Sequence, residues 1–475
     1  MDTRPDKYLS PSQIGLLFTG LALMVLSLVL GWRAGDLPPS SNISLFERGV
    51  LVAGNVSAGM GFLLACLCVR QRQPHWMLWW VIAVGVACRV ALVVAPPVLA
   101  TDANRYLWDG MVWLHGYDPW RYSPAAALDG GYGVPTALHQ LATGHKLVID
   151  QINHNSLPTI YPPVSEAVFA ASAWLAPWSM IMLKVWLLLF DVGTASLLWL
   201  ILRRLKLPPL WLLIYWWNPV AINAFANEAH LDAIVVFFVA LFWYWLMARR
   251  AIGAGLALGL AIGAKLWPVI LVAVLGRKYL RHPRQLLAAS MAVVATSAVV
   301  LWPMLAGGSG NFTSMAEYAR YWQANDLVYR LVWEFWGSVL HSWNDARTAS
   351  TATVAVIFAA ATAVLIHRPI PDRQAVRVGV LLTGLLFLLS PTQFPWYYTW
   401  LLPMLAINPR PSLLAWSCTL GLYHWEYIGS WVVWVETLPV IILLVVEGLS
   451  PTVRDFFAVR VSAGQLVSPP AQELK

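Results

Sequence analysis

Residues 101–124 read T-D-A-N-R-Y-L-W-D-G-M-V-W-L-H-G-Y-D-P-W-R-Y-S-P and hold three carboxylates, Asp102, Asp109 and Asp118. Two arginines, Arg105 and Arg121, stand among them, with Tyr106, Trp108, Trp113, Tyr117, Trp120 and Tyr122 interleaved. This mixture suits a sugar joined to a phosphate. Aromatic rings cover the apolar face of a sugar, carboxylates accept hydroxyl protons, and arginines grip phosphate. Asp102, Tyr106 and Asp109 follow i, i+4, i+7 spacing, so one helix would point all three the same way. An aromatic belt at a membrane–water boundary explains the rings alone. It leaves three acids in so short a stretch unexplained.

A second constellation is N-E-A-H-L-D-A at 227–233. Glu228 and Asp232 are four apart and are expected to share a helix face, with His230 between them. Acids in a first helical turn also suit the positive end of the helix dipole. An acid, a histidine and an acid together in an apolar context point to chemistry. Lys265, in A-K-L-W-P, sits deep in an apolar run. A lysine that keeps its charge there needs an anion, either a lipid phosphate or a carboxylate of the protein. The histidines at 139, 145 and 154 and the four cysteines have no metal-ligand spacing, so no metal site is assigned.

Positioning these groups falls to a membrane bundle. Of 475 residues, 59% are hydrophobic and only 11% charged, where a soluble chain carries about a quarter charged. Apolar runs of about twenty residues recur along the whole length. Without water, backbone groups are satisfied within helices. We therefore expect one all-α polytopic membrane domain over 1–475, with about 12–14 transmembrane or half-spanning helices. The net charge of +8 reads as loop topology and attraction to membrane lipids, not as nucleic-acid binding.

The basic clusters Arg70–His75, Arg203–Lys206, Arg249–Arg250 and Arg277–Arg284 are expected inside. Long loops at 97–160 and 306–347 then face outside, the first with surface helices at 101–115 and 136–148. His230 falls on the same side as Asp102. If Arg203–Lys206 is inside, residues 161–178 are not a full crossing and dip in and return or stay at the outer surface; the alternative is a true hairpin with that basic cluster outside. The run 252–275 has basic clusters at both ends, so it is expected to break at Lys265–Pro268 into two half-helices. Lys184 and Asp191 lie within a span and are expected to point into the bundle, while Arg89, also within a span, either faces a polar interior or snorkels to the outer end. Residues from Arg454 on read as a cytoplasmic tail.

D-A-N-R-Y-L-W-D-G, G-Y-D-P-W-R-Y-S-P and Y-P-P (161–163), in that order, resemble the C-superfamily of integral-membrane glycosyltransferases. The similarity is to the bacterial branch that uses polyprenyl-phosphate mannose. N-E-A-H-L-D-A, A-K-L-W-P and P-W-Y-Y-T-W-L-L-P extend it along most of the chain. The resemblance implies transfer of a hexose, mannose in that branch, from a polyprenyl-phosphate donor to a hydroxyl of a glycan, glycolipid or other acceptor. It implies inversion, a bacterial inner-membrane location and a site on the periplasmic or extracellular side. It makes Asp102 the first candidate for general base and Asp109 the second. Arg105, Tyr106, Tyr161, Glu228, His230, Asp232 and Lys265 become candidates for holding donor phosphate and substrate. No D-x-D is present, so no cofactor is assigned and a divalent metal is left open. The rival reading is a lipid or sugar transporter or flippase, in which intramembrane charges line a pathway.

Overall fold

Ser10 and Ser44 each cap a long helix through a capping box, with Gln13 and Glu47 closing back on the cap backbone. These open α1 (Pro11–Arg33) and α2 (Leu45–Cys68); α3 (Trp76–Val93) completes the first three spans. The computed structural model describes residues 9–37, 43–70, 73–367, 372–454 and 456. Arg72 and the tail beyond 456 lie outside the described residues.

The first long loop, 97–160, folds into α4 (Asp102–Leu114), α5 (Pro124–Asp129), α6 (Thr136–Gly144) and α7 (Lys146–Asp150). Trp108, Val112, Leu138, Ala142 and Ile149 give it a small core of its own. Then come α8 (Pro163–Leu175), α9 (Met180–Arg204), α10 (Leu213–Trp216), α11 (Pro219–Ile222) and α12 (Asp232–Met247). α13 (Ala251–Ala264), α14 (Val272–Tyr279) and α15 (Pro283–Ala306) follow. The second long loop, 306–347, carries α16 (Thr313–Tyr321) and α17 (Leu327–Leu340). The chain finishes with α18 (Trp343–Ile366), α19 (Asp372–Leu389), α20 (Leu402–Ile407), α21 (Pro411–Thr419), α22 (Trp431–Leu449) and α23 (Pro451–Arg454). The described residues contain no strand, only an isolated bridge between Ala324 and Thr392. Among the described residues, seven helices are long and apolar enough to cross a membrane, and three shorter helices are apolar too. The protein is an all-α polytopic membrane protein.

Packing fixes which loops share an end. α1 and α3 run parallel, since Trp80 donates to the Leu16 carbonyl at one end and Gly31 abuts Ala91 at the other. Lys184, near the start of α9, reaches the Ala95 carbonyl just past the end of α3, so those two helices are antiparallel. Arg204 at the end of α9 donates to the Met247 carbonyl at the end of α12. α13 and α15 are parallel, with Gly255 against Ala289, Gly259 against Thr296 and Gly263 against Val300. A side chain at any of these glycines would collide with the neighbouring helix, the small-residue packing common in membranes. The chain between them must therefore double back. It does so where predicted: Lys265 is extended, and a 3₁₀ turn Trp267–Leu271 containing Pro268 leads into α14. Arg70 and His75 thus gather with the other three basic clusters at one end of the bundle. Asp102, His230 and Lys265 gather at the other.

Thirteen residues of α8 span about 20 Å at 1.5 Å each, short of a bilayer core. α8 packs instead along α4, where a Cβ on Gly110 would lie 2.5 Å from the Phe169 carbonyl oxygen.

Candidate active site

Asp102 is the first residue of α4, just past the Pro96-Pro97 break that follows α3. Asn227 fixes the approach. Its Nδ2 donates to the Pro96 carbonyl (3.0 Å) and its Oδ1 accepts from Val98 N–H (3.3 Å). Asn227 ends a single π turn, Asn223–Asn227, a distortion frequent at functional sites. Ala229 follows with φ 57°, a left-handed conformation costly for a residue with a Cβ. That bend turns the His230 amide onto the Ala224 carbonyl (2.8 Å) and the imidazole toward α4. His230 Nδ1 stands 3.7 Å from an Asp102 carboxylate oxygen, and its Nε2 stands 3.1 Å from Glu228 Oε2. The imidazole is fully buried, its Nδ1 has no hydrogen-bond partner, and its ring stacks on Trp396 at 4.0 Å. Asp102 is 26% exposed. Burial alone would raise the Glu228 carboxyl, but the hydrogen bond and charge of His230, with Asn223, hold it below its ordinary value.

Asp232 opens α12 and binds the break in the paired half-helices. Its Oδ1 accepts from Lys265 Nζ at 2.7 Å and from Trp400 Nε1 at 2.5 Å. The ammonium lies over the Tyr397 ring at 4.1 Å. Tyr397 and Trp400 belong to the 3₁₀ turn Pro395–Trp400, where side chains three apart eclipse. They stack at 4.5 Å, and Trp267 extends the stack at 4.9 Å. Lys265 keeps 17% of its side chain open. Asp102, Arg105, Tyr106, Tyr161, Asp232 and Lys265 all line one cavity of about 520 Å³. Leu266, Trp267 and Leu386 give it an apolar stretch of wall, and Asn153, His154 and Trp322 from the two long loops line it as well.

Glycosyltransferase family 87 matches residues 159–391. The chain is a membrane glycosyltransferase. No curated protein and no solved structure matched it. The matched segment of this transferase takes in Tyr161, Glu228, His230, Asp232 and Lys265 and begins at the end of the loop that bears Asp102, leaving Asp102 itself outside it.

Several expectations need correction within the transferase. Asp109 does not line the cavity. It lies about 10 Å along the helix from Asp102 at 1.5 Å per residue, where α8 has already closed on α4. There it is 1% exposed, near Arg105 and Thr159. Burial pushes its carboxyl up to about 7 against the pull of Arg105. Glu166 on α8 is raised too, by burial and by Asp109. Glu228 and Asp232 do not share a helix face, because the helix begins only at Asp232 and the turn at Ala229 sends Glu228 elsewhere. Glu228 meets His230, while Asp232 meets Lys265. The guanidinium of Arg105 is occupied by backbone: Nη1 donates to the Leu157 carbonyl (2.9 Å), and Nη2 to those of His154 (2.8 Å) and Asn153 (3.3 Å). Lys265 has the protein carboxylate foreseen as one of its two partners.

Sequence reasoning did not assign Trp396, Tyr397 and Trp400 to the site. Their signal is present in P-W-Y-Y-T-W, which the sequence offers only as part of a motif. What carries the assignment is the eclipsing of a 3₁₀ turn, which a residue pattern does not reveal.

Proposed function

We propose that the transferase moves a hexose, mannose by the resemblance of its motifs, from a polyprenyl-phosphate donor to an acceptor hydroxyl. The observation that carries this reading is the shared cavity, where Asp102 from the first outer loop and Lys265 from a broken helix meet on one wall system. Asp102 takes the acceptor proton as the hydroxyl oxygen attacks the anomeric carbon. The bond from that carbon to the phosphate oxygen breaks, and polyprenyl phosphate leaves. Direct displacement inverts the anomeric centre. Lys265, held by Asp232 and bedded on Tyr397, stabilises the charge on the leaving phosphate. The apolar wall of Leu266, Trp267 and Leu386 suits the first isoprene units. His230, oriented by Glu228, faces Asp102 with a free nitrogen and steadies its carboxylate through proton uptake. Arg105 holds the cavity wall rather than the phosphate.

The site lies at the end opposite the basic clusters, so the positive-inside rule puts it on the outer, periplasmic side of a bacterial inner membrane. A transporter reading gains nothing from the charges within the spans. Arg89 and Asp191 pair with each other, and Lys184 is bonded to the carbonyls ending α3. The test is purified protein with polyprenyl-phosphate mannose and a glycan acceptor, with product anomer read by NMR. Movement of donor lipid across a proteoliposome bilayer without covalent turnover would sink the transferase chemistry proposed here.

A further inference from the structure

The outer mouth of the cavity is built from two loops that meet at a pair of rings. His154, from the first outer loop, stands 4.4 Å from Trp322, from the second, at 55°. Each ring is held from behind by a buried arginine acting on its own carbonyl. Arg105 donates to the His154 carbonyl at 2.8 Å, and Arg347 donates to the Trp322 carbonyl at 2.8 Å. The two arginines are 8% and 5% exposed. His154 takes φ 52°, outside the comfortable range for a side-chain-bearing residue, and a turn bond from Leu157 N–H to its carbonyl fixes that geometry. A strained backbone and two buried cations are spent on presenting two exposed or half-exposed rings.

We infer that His154 and Trp322, two rings in contact, form a rigid aromatic platform that binds the acceptor, and that the acceptor presented there is a carbohydrate. The inference rests on the donor assignment above. With Lys265 and the apolar wall taking the lipid phosphate from the membrane side, the acceptor must approach from the water side, through Asn153, His154 and Trp322. Flat rings match the apolar face of a pyranose, and Asn153 supplies amide groups for its hydroxyls. An aliphatic alcohol or an extended peptide has no comparable use for two adjoining rings. Arg105 and Arg347 are positioning residues for this platform.

The test uses detergent-purified full-length protein. In steady-state assays with polyprenyl-phosphate mannose and α-mannobiose, Trp322→Ala is expected to raise the KM for mannobiose about tenfold, and Trp322→Phe about twofold. Donor affinity, read by equilibrium binding of the radiolabelled donor, should stay within about twofold for both. A second readout needs no turnover: saturation-transfer NMR of mannobiose with the protein should give a signal that Trp322→Ala removes and Trp322→Phe keeps. Wild-type transfer with mannobiose binding unaffected by Trp322→Ala or His154→Ala would overturn the platform and leave the donor reading standing. Saccharide binding that needs Trp322, with no transfer from any polyprenyl-phosphate sugar, would overturn the donor reading and keep the platform.

Discussion

Two sets of buried charges in this molecule look alike in sequence and behave differently in space. Inside the bundle, Arg89 pairs with Asp191, donates to the carbonyls of Gly85 and Trp216 at 3.0 Å each, and lies over the Trp216 ring. Asp191 also accepts from Tyr215 at 2.6 Å. Every strong valence is used, and both side chains are at most 5% exposed. At the cavity the accounting is incomplete. His230 has an unpartnered nitrogen, the 3.7 Å to Asp102 exceeds a hydrogen bond, and Lys265 keeps an open flank. A saturated charge holds helices together; an unsaturated one is available to a substrate. This separates structural from functional charge better than depth in the membrane does.

The comparison is broken most sharply by Asp102→Asn. The variant keeps size and hydrogen bonding but cannot accept a proton. Turnover should fall by about a hundred- to ten-thousandfold with donor binding and folding retained. Near-normal turnover would remove Asp102 from the base role. Arg89→Met should do the reverse. It strands Asp191 in an apolar bundle, a loss of about 3–5 kcal/mol in stability, and leaves the activity of the surviving folded fraction unchanged. Thermal unfolding in detergent, scored beside activity per folded molecule, separates the two outcomes. Lys265→Met should weaken donor binding by about ten- to a hundredfold, the loss of a charge-assisted contact. Combining it with Asp232→Asn removes the stranded carboxylate. A double variant that folds well and binds donor normally would make Lys265 a structural partner, like Arg89.

The smallest effect concerns Asp109. Its ordinary carboxyl value is 3.8, and burial raises it to about 7 in the folded protein. The folded state therefore holds a proton that the unfolded chain has already released. The stability this contributes is complete below about pH 4, falls as pH rises towards 7, and changes no further above that. Asp109→Asn mimics the protonated form and should flatten that slope, moving the melting temperature at pH 7 upward by on the order of a few degrees. A wild-type and variant pair with parallel stability profiles between pH 4 and 7 would show that Asp109 is ionised when folded.

Much of the architecture was written in the chain. Apolar runs gave the helices, basic clusters gave a common end, and Pro268 between two such clusters gave the doubled-back segment. Periodicity also gave α4 and the face shared by Asp102 and Tyr106. It did not show that α8 would cover Asp109 one turn on, because a pattern describes a helix face and not its neighbour. The spacing of Glu228 and Asp232 misled for a related reason. Helical geometry was assumed through a stretch that a π turn and a left-handed alanine had bent.

The arginines mark the limit most clearly. Arg105 beside Asp102 reads as a phosphate ligand, yet three carbonyls of the 153–157 turn take its guanidinium. By itself the sequence determined an all-helical membrane bundle, its grouping of basic clusters, and a set of residues fit for sugar and phosphate chemistry. Tertiary structure alone decided which carboxylate meets the cavity, which cations are already spent, and which rings stand at its mouth. Those outcomes depend on contacts between segments far apart in the chain, such as Asn227 with Pro96 and Trp400 with Asp232. Local residue pattern governs the conformation of each segment, while the saturation of a buried charge depends on whatever the rest of the chain brings against it.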